Sequence, residues 1–369
     1  MRRAPILPFV LAVAMGAGPA AAQTARGGLG IVPGIEYYRF GDPAVVGIES
    51  LSLMTVPITA RIALGPTVSL EVNGAFARGV LTRRNGSSIT VSGPTDTELR
   101  LTARLARDAV TVTAIALAPT GKGELTTEEA DAAGAFAADV LPFRITNWGS
   151  GGGVGAAVSF ARQMGTVGAG LSAGYVVARE FDPLTDQSFS YRPGNQLHLT
   201  GALTSVVGAA ARASLNVSWQ HFAVDEANGQ NLYQAGDRLQ ARGSVAFASG
   251  ERASGIVYLG LLRRARGEYS SSFDVIPARN LVFTGAAFRT PAGRLVLTPG
   301  VDLRVQTRAE GTFGGFVATG GLGAEAPLGS AVLLPSLRVR YGSVKDSEGA
   351  SSSLTGIELG LGIRFGGAG

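Results

Sequence analysis

From residue 28 onward the chain alternates apolar and polar residues at period 2, in runs of ten to eighteen residues. These runs are joined in turn by a very short connection and a longer polar one. Period-2 alternation is the signature of strands with one face in an apolar medium and one in a polar medium. The runs are 28–40, 47–64, 67–82, 95–107, 109–118, 153–163, 166–181, 194–207, 210–223, 235–249, 253–266, 278–290, 293–308, 314–326, 331–345 and 353–365. The short connections are Gly65-Pro66, Asp108, Met164-Gly165, Gly208-Ala209, Gly250-Glu251-Arg252, Pro291-Ala292 and 327–330. The longer ones are 41–46, 83–94, 119–152, 182–193, 224–234, 267–277, 309–313 and 346–352. A β-sandwich has no reason to sort its connections into two classes, whereas a barrel across a membrane has short turns on one side and long loops on the other. The expected fold is therefore all-β, a transmembrane up-and-down antiparallel barrel of 16 strands, or 14 if one hairpin is misassigned.

The faces agree with that reading. In the last run Ile357, Leu359, Leu361, Ile363 and Phe365 share one side, and Glu358, Gly360, Gly362 and Arg364 the other. Arg or Lys facing lipid at the midplane would cost ~2–4 kcal/mol, which assigns the polar side to the lumen. The expected pore lining is Arg61, Glu71, Glu98, Arg100, Arg104, Arg212, Arg238, Arg242, Asp302, Arg304, Arg338 and Arg340, with Glu36, Glu325 and Glu358 on the same face. Aromatics near strand ends, Tyr37, Tyr38, Phe40, Phe181, Trp219, Phe222, Phe288 and Tyr341, suit interfacial girdles.

Residues 1–22 read as a signal peptide. Arg2 and Arg3 precede an apolar core from Ile6 to Met15 and a small-residue site at Ala20-Ala21-Ala22. Residues 23–369 are then a single barrel domain, exported and placed in a bacterial outer membrane, with its lipid and a barrel-assembly machinery as partners. The chain has no cysteine, so no disulfide or thiolate site contributes. Many of its 53 glycines lie inside alternating runs, and the net charge of +5 is carried almost wholly by arginine, the lysines being Lys122 and Lys345. No basic cluster or motif points to nucleic acid.

Residues 119–152 form the one long segment without alternation. Thr126 and Glu129 fit a capping box, predicting a helix over Glu128–Val140. The segment is acidic, and Glu124, Glu128, Glu129, Asp131 and Asp139 are the expected constriction residues of a loop folded into the lumen. The alternative is a solvated external flap. Phe136, Leu141, Phe143 and Trp148 of the same segment are candidates for an apolar ligand site.

Sixteen strands with one long loop after the fifth resemble the bacterial general porins, which implies an inward-folded loop narrowing a water-filled pore. Pro119-Thr120-Gly121, Trp148-Gly149-Ser150-Gly151 and Tyr191-Arg192-Pro193-Gly194 also resemble barrels grouped with phenol-degradation and fatty-acid uptake transporters. The chain departs from the latter in lacking a long N-terminal plug, and from porins in the Gly366-Gly367-Ala368-Gly369 tail after Phe365. Two histidines, His198 and His221, without nucleophile spacing argue against an enzyme, and scattered carboxylates argue against a metal or other cofactor. The function expected is passive diffusion of small solutes. An uptake barrel for hydrophobic or aromatic compounds and a structural or plugged barrel are the alternatives, with homo-oligomerisation left open.

Overall fold

The computed structural model describes residues 27–208, 210–249, 253–270, 275–308, 313–346 and 348–365. The expected signal peptide, the 250–252 turn and the tail after Phe365 lie outside the described residues.

Sixteen antiparallel strands close into a barrel. They are β1 (Gly28–Ile31 and Gly34–Phe40), β2 (Ile48–Ala63), β3 (Val68–Arg83), β4 (Ser88–Pro94 and Thr97–Leu105), β5 (Val110–Ala118), β6 (Gly153–Met164), β7 (Val167–Ala178) and β8 (Gln196–Val207). The second half is β9 (Ala211–Phe222), β10 (Arg238–Ser249), β11 (Ala253–Arg264), β12 (Arg279–Ala292), β13 (Leu295–Arg308), β14 (Phe313–Leu328), β15 (Ala331–Lys345) and β16 (Ser351–Phe365). Each strand pairs with its sequence neighbours, and β16 closes on β1 through Leu29↔Phe365, Glu36↔Glu358 and Phe40↔Leu354. Closure leaves no strand edge, the condition for a sheet to stand in lipid.

Two strands are broken, each with a consequence inside. β1 is interrupted at Val32-Pro33, where proline has no N–H to give the ladder. β4 carries a bulge. Phe76↔Pro94 and Ala77↔Gly93 give way to Asn73↔Glu98, so one extra residue of β4 fits between them and its side-chain parity reverses. The external part of β4 therefore turns Ile89, Val91 and Gly93 inward, while the lower part turns Glu98, Arg100 and Arg104 inward. The segment 83–94, expected as a loop, is corrected here. Ser88–Pro94 extends the strand and only a four-residue turn remains, because a continuous alternation cannot be read across a reversal of phase.

Alternate side chains such as Ile35, Leu171, Leu259, Val301 and Val339 project outward and are exposed in the free barrel. Arg39, Arg78 and Arg263 share that outward face near the loop-bearing end. There the cost of a charge falls to ~0–1 kcal/mol, so the midplane rule does not reach them. The aromatic girdle is smaller than expected. Tyr37, Phe288 and Tyr341 face outward, but Tyr38, Phe40 and Phe222 are buried on the inner side, where packing outweighs strand-end placement.

The longer loops gather at one end, where ribbons Tyr191–Arg192, Val224–Ala227, Gln230–Gln234, Gly267–Tyr269 and Val275–Ile276 make a second sheet over the rim. Its centre is Asp225, which accepts from the Tyr191 O–H at 2.5 Å and the Gly194 N–H at 2.6 Å. Burial pushes the Asp225 carboxyl up from 3.8 to about 6, against the two hydrogen bonds, which pull it down. A carboxyl whose folded value is raised gives stabilisation that is full below its unfolded value and lost as pH rises through about 6. Protection of the amides along Tyr191–Arg192 and Val224–Ala227, each rate taken relative to that of an unfolded chain at the same pH, should accordingly be higher at pH ~4.5 than at pH ~7.5. Asp225→Asn should flatten that difference; a wild-type cap with equal protection at both values would refute the assignment.

Candidate functional site

The segment between β5 and β6 folds back inside the barrel. Its two ends are pinned together by Asp96, which sits in the β4 bulge. One carboxylate oxygen accepts from the Gly121 N–H at 3.0 Å, the other from the Ser150 N–H at 2.7 Å and the Ser150 hydroxyl at 2.6 Å. Position 121 must be glycine, since a Cβ there would lie 2.2 Å from the Trp148 carbonyl oxygen. Helix α1 (Thr127–Phe136) starts at a complete capping box, Thr126 accepting from the Glu129 N–H and Glu129 from the Thr126 N–H. Asp186 of the neighbouring loop adds an acceptor for the Thr127 N–H at 3.1 Å, so the exposed carboxylate sits below its ordinary range. The helix ends at Phe136, not at Val140 as the sequence pattern suggested. Beyond it the chain extends so that Val140, Leu141 and Phe143 reach the wall.

Phe136, Leu141, Phe143 and Trp148 are buried together. Phe136 lies edge-on to Phe143 at 5.0 Å and to Trp148 at 5.6 Å, and Phe143 edge-on to Tyr38 at 4.9 Å. Around them stand inward residues of β1–β4, Tyr38, Leu51, Leu53, Ala77, Leu81, Ile89 and Val91, with Val317 and Leu354 from β14 and β16. The Trp148 indole N–H donates to the Ala77 carbonyl at 3.1 Å. At Gly79 the wall is bare backbone, and a Cβ would come within 2.8 Å of the Phe136 ring and 3.1 Å of Trp148. The quartet proposed from sequence as an apolar ligand site is thus the interior of a dry core. That core belongs to the inner face of the external half, which the alternation had assigned to polar lining.

Beside this core lies a buried charge cluster. Glu36 and Glu358 stand directly opposite across β1 and β16, and Arg340 of β15 bonds to both, its guanidinium 5.2 Å from the Tyr38 ring centre. Arg144 of the inserted segment completes it. Its backbone N–H donates to Glu36 at 3.0 Å, and its guanidinium reaches Glu358 at 2.5 Å and the Val32 carbonyl at 3.3 Å, at the β1 interruption. Arg338 adds a contact to Glu358 at 3.3 Å.

At its far reach the segment touches the opposite wall. Asp139 meets Arg264 of β11 at 2.6 Å and Arg279 of β12 at 2.8 Å. β3, which carries Ala77 and Gly79, and β11 lie eight strands apart around the ring, so the segment spans the interior.

The remaining expected residues divide. Glu129 is tied to Lys122 at 2.5 Å, Glu128 approaches exposed Arg83 only at 4.0 Å, and Glu124, Glu128 and Asp131 are exposed. Deeper in the lumen Glu71 stands between Arg61 and Arg100 by register, and Arg100 pairs with Glu98 at 2.6 Å. Arg104 donates to the Pro66 carbonyl, Arg304 pairs with Asp302 at 3.4 Å, and Tyr258 donates to Asp302 at 2.8 Å beneath the Arg242 guanidinium. Arg212 lies on the same inward row between Val206 and Ala246, and Arg238 stands beside Arg264. His198 faces inward to Gln196 and Gln220, and His221 pairs with Asp237 at 2.8 Å on the outward face, stacked on Trp219. Among the described residues no group of three or more His, Cys, Asp or Glu could hold a metal ion. Sequence reasoning missed Asp96, Gly79, Arg264 and Arg279. The last two had a signal, since both continue the inward parity of their strands to the rim.

Fold and interior together define the class: a transmembrane up-and-down β-barrel with an inserted loop. No family model and no curated protein sequence matches the chain. Solved barrels of the outer membrane are similar in fold. The channel DcaP of Acinetobacter baumannii has a TM-score of 0.45 at 12% identity, over 92% of this chain and 96% of its own. The CymD monoaromatic hydrocarbon channel gives 0.44 at 12%, over 93% and 89%. An anion-selective porin from Comamonas acidovorans gives 0.43 at 15%, over 92% and 99%.

Proposed function

We propose that this protein is an outer-membrane channel through which small solutes diffuse passively, filtered by size and charge where residues 119–152 cross the lumen. The supporting observation is asymmetry of filling. The inserted segment lies against β1–β4 and reaches β11 and β12 through Asp139, while the inner faces of β6–β9 carry small residues such as Gly168, Gly170, Ser172, Gly174, Ser214 and Ser218. A wall of that composition leaves room for water beside the plug, and the arginines and acids below it suit a wet lumen. Nothing in this reading asks for a cofactor or a bond-breaking step. The protein would be exported, assembled into the outer membrane and surrounded by its lipid, singly or as a homo-oligomer.

The plugged-barrel alternative draws on one observation, the Asp139 latch that ties the segment to the wall opposite its aromatic core. An uptake barrel for hydrophobic or aromatic compounds would need a site other than the buried quartet. Planar-bilayer recording distinguishes them. An open channel gives stable ohmic steps in potassium chloride, and a silent but folded barrel would reject the channel reading.

A further inference from the structure

Strand register places a belt of polar residues side by side across six neighbouring strands of the inner wall. His198 of β8 pairs with Gln220 of β9, Gln220 with Arg238 of β10, Arg238 with Arg264 of β11, Arg264 with Arg279 of β12, and Arg279 with the position of Arg308 on β13. Like charges directly opposite on neighbouring strands repel, so a run of paired arginines is unfavourable unless anions lie among them. Among the described residues one carboxylate does: Asp139, with one oxygen on Arg264 at 2.6 Å and the other on Arg279 at 2.8 Å. It comes from the inserted segment, 125 residues from Arg264 in the chain.

The belt is undersupplied with acceptors. Arg238 has its Nε and one terminal nitrogen buried without a hydrogen-bond partner among the described residues, and Arg264 has its Nε in the same state. A buried charged donor left unpaired carries its full desolvation penalty, which is why such groups are normally satisfied. The free donors adjoin the seat of Asp139, and the guanidinium fork matches a planar carboxylate.

We propose that the belt is a binding station for small organic carboxylates, with Asp139 as an internal stand-in that an incoming carboxylate replaces. The ligand is first taken by the free donors of Arg238, then shared with Arg264 as Asp139 withdraws. The class follows from what already occupies the seat, a carboxylate held one oxygen per guanidinium. The inference rests on the channel reading only for the ligand's route of entry. Release of Asp139 would also free the far tip of the inserted segment from β11 and β12, coupling occupancy to the width of the passage.

Titration calorimetry of the full chain in zwitterionic detergent, with sodium benzoate as the probe at low ionic strength, tests the station without any current. Saturable binding is expected. Arg238→Gln should weaken it about tenfold, the equivalent of one charge-assisted hydrogen bond. Arg238→Lys should recover part of the loss by restoring charge without the fork. Asp139→Asn should tighten binding by removing the competitor, and Arg294→Gln, in a turn at the other end of the barrel, should change nothing. If Asp139→Asn fails to fold, the two Arg238 variants still decide. No saturable heat, an unchanged affinity in Arg238→Gln, or tighter binding of inorganic phosphate than of benzoate would each overturn the proposal. Ohmic current without benzoate binding would remove the station and keep the channel; benzoate binding in a silent barrel would do the reverse.

Discussion

Deleting residues 123–144 should raise single-channel conductance severalfold while leaving the sixteen-stranded barrel assembled. The segment contributes no rung to the ladder of β1–β16; it is held by Asp96, by the aromatic core, by the hydrogen bond from the Arg144 N–H to Glu36 and by ion pairs to Glu358, Arg264 and Arg279. Removing it opens the cross-section at the level the segment spans. It also wets Tyr38, Leu51, Leu53, Leu81, Ile89 and Val91, each worth ~1.5–3 kcal/mol when fully buried, so thermal stability should fall as conductance rises. Gly79→Leu is a gentler version. Its side chain must occupy the volume of the Phe136 ring, which displaces the core from β3 without shortening the loop. Conductance equal to wild type in both variants would mean that the inserted segment does not set the passage.

Replacing Arg340 with leucine should destabilise the barrel by about 3–5 kcal/mol, because two opposed carboxylates then remain buried with one partner fewer. Glu36 and Glu358 have 0% and 1% of their surface exposed, and Arg340 on the neighbouring strand β15 is bonded to both. Arg144 and Arg338 still reach Glu358, so the orphan is chiefly Glu36, left with the Arg144 backbone N–H. Combining Arg340→Leu with Glu36→Gln should therefore recover most of the loss, which a general packing defect at position 340 would not allow. The measurement is the unfolding midpoint in denaturant or detergent. A single variant as stable as its parent would show that the cluster is solvated and carries little weight.

The architecture was legible along the chain because its causes are local. Period-2 alternation places Ile357, Leu359 and Leu361 on one face and Glu358 and Arg364 on the other without reference to any other strand. Turn length sorts the two ends of the barrel, and the capping box of Thr126 and Glu129 announces the helix from four adjacent residues. Strand count and the position of the inserted segment follow from these. The interior does not. Leu51, Leu53 and Ala77 stand at the inward positions of their strands yet face an apolar core, because a segment some sixty to a hundred residues later in the chain supplies the apolar surface against them. The meeting of Asp139 with Arg264 and Arg279 depends on closure of the ring, which brings strands eight places apart to face each other across one lumen. The reversal of phase in β4 depends on where its neighbour forces a bulge, and it is that bulge which seats Asp96 at the base of the loop. Periodicity determines which side of the wall each residue takes. Only the closed barrel decides what lies across from it, since that pairing is set by curvature and by contacts no local repeat encodes.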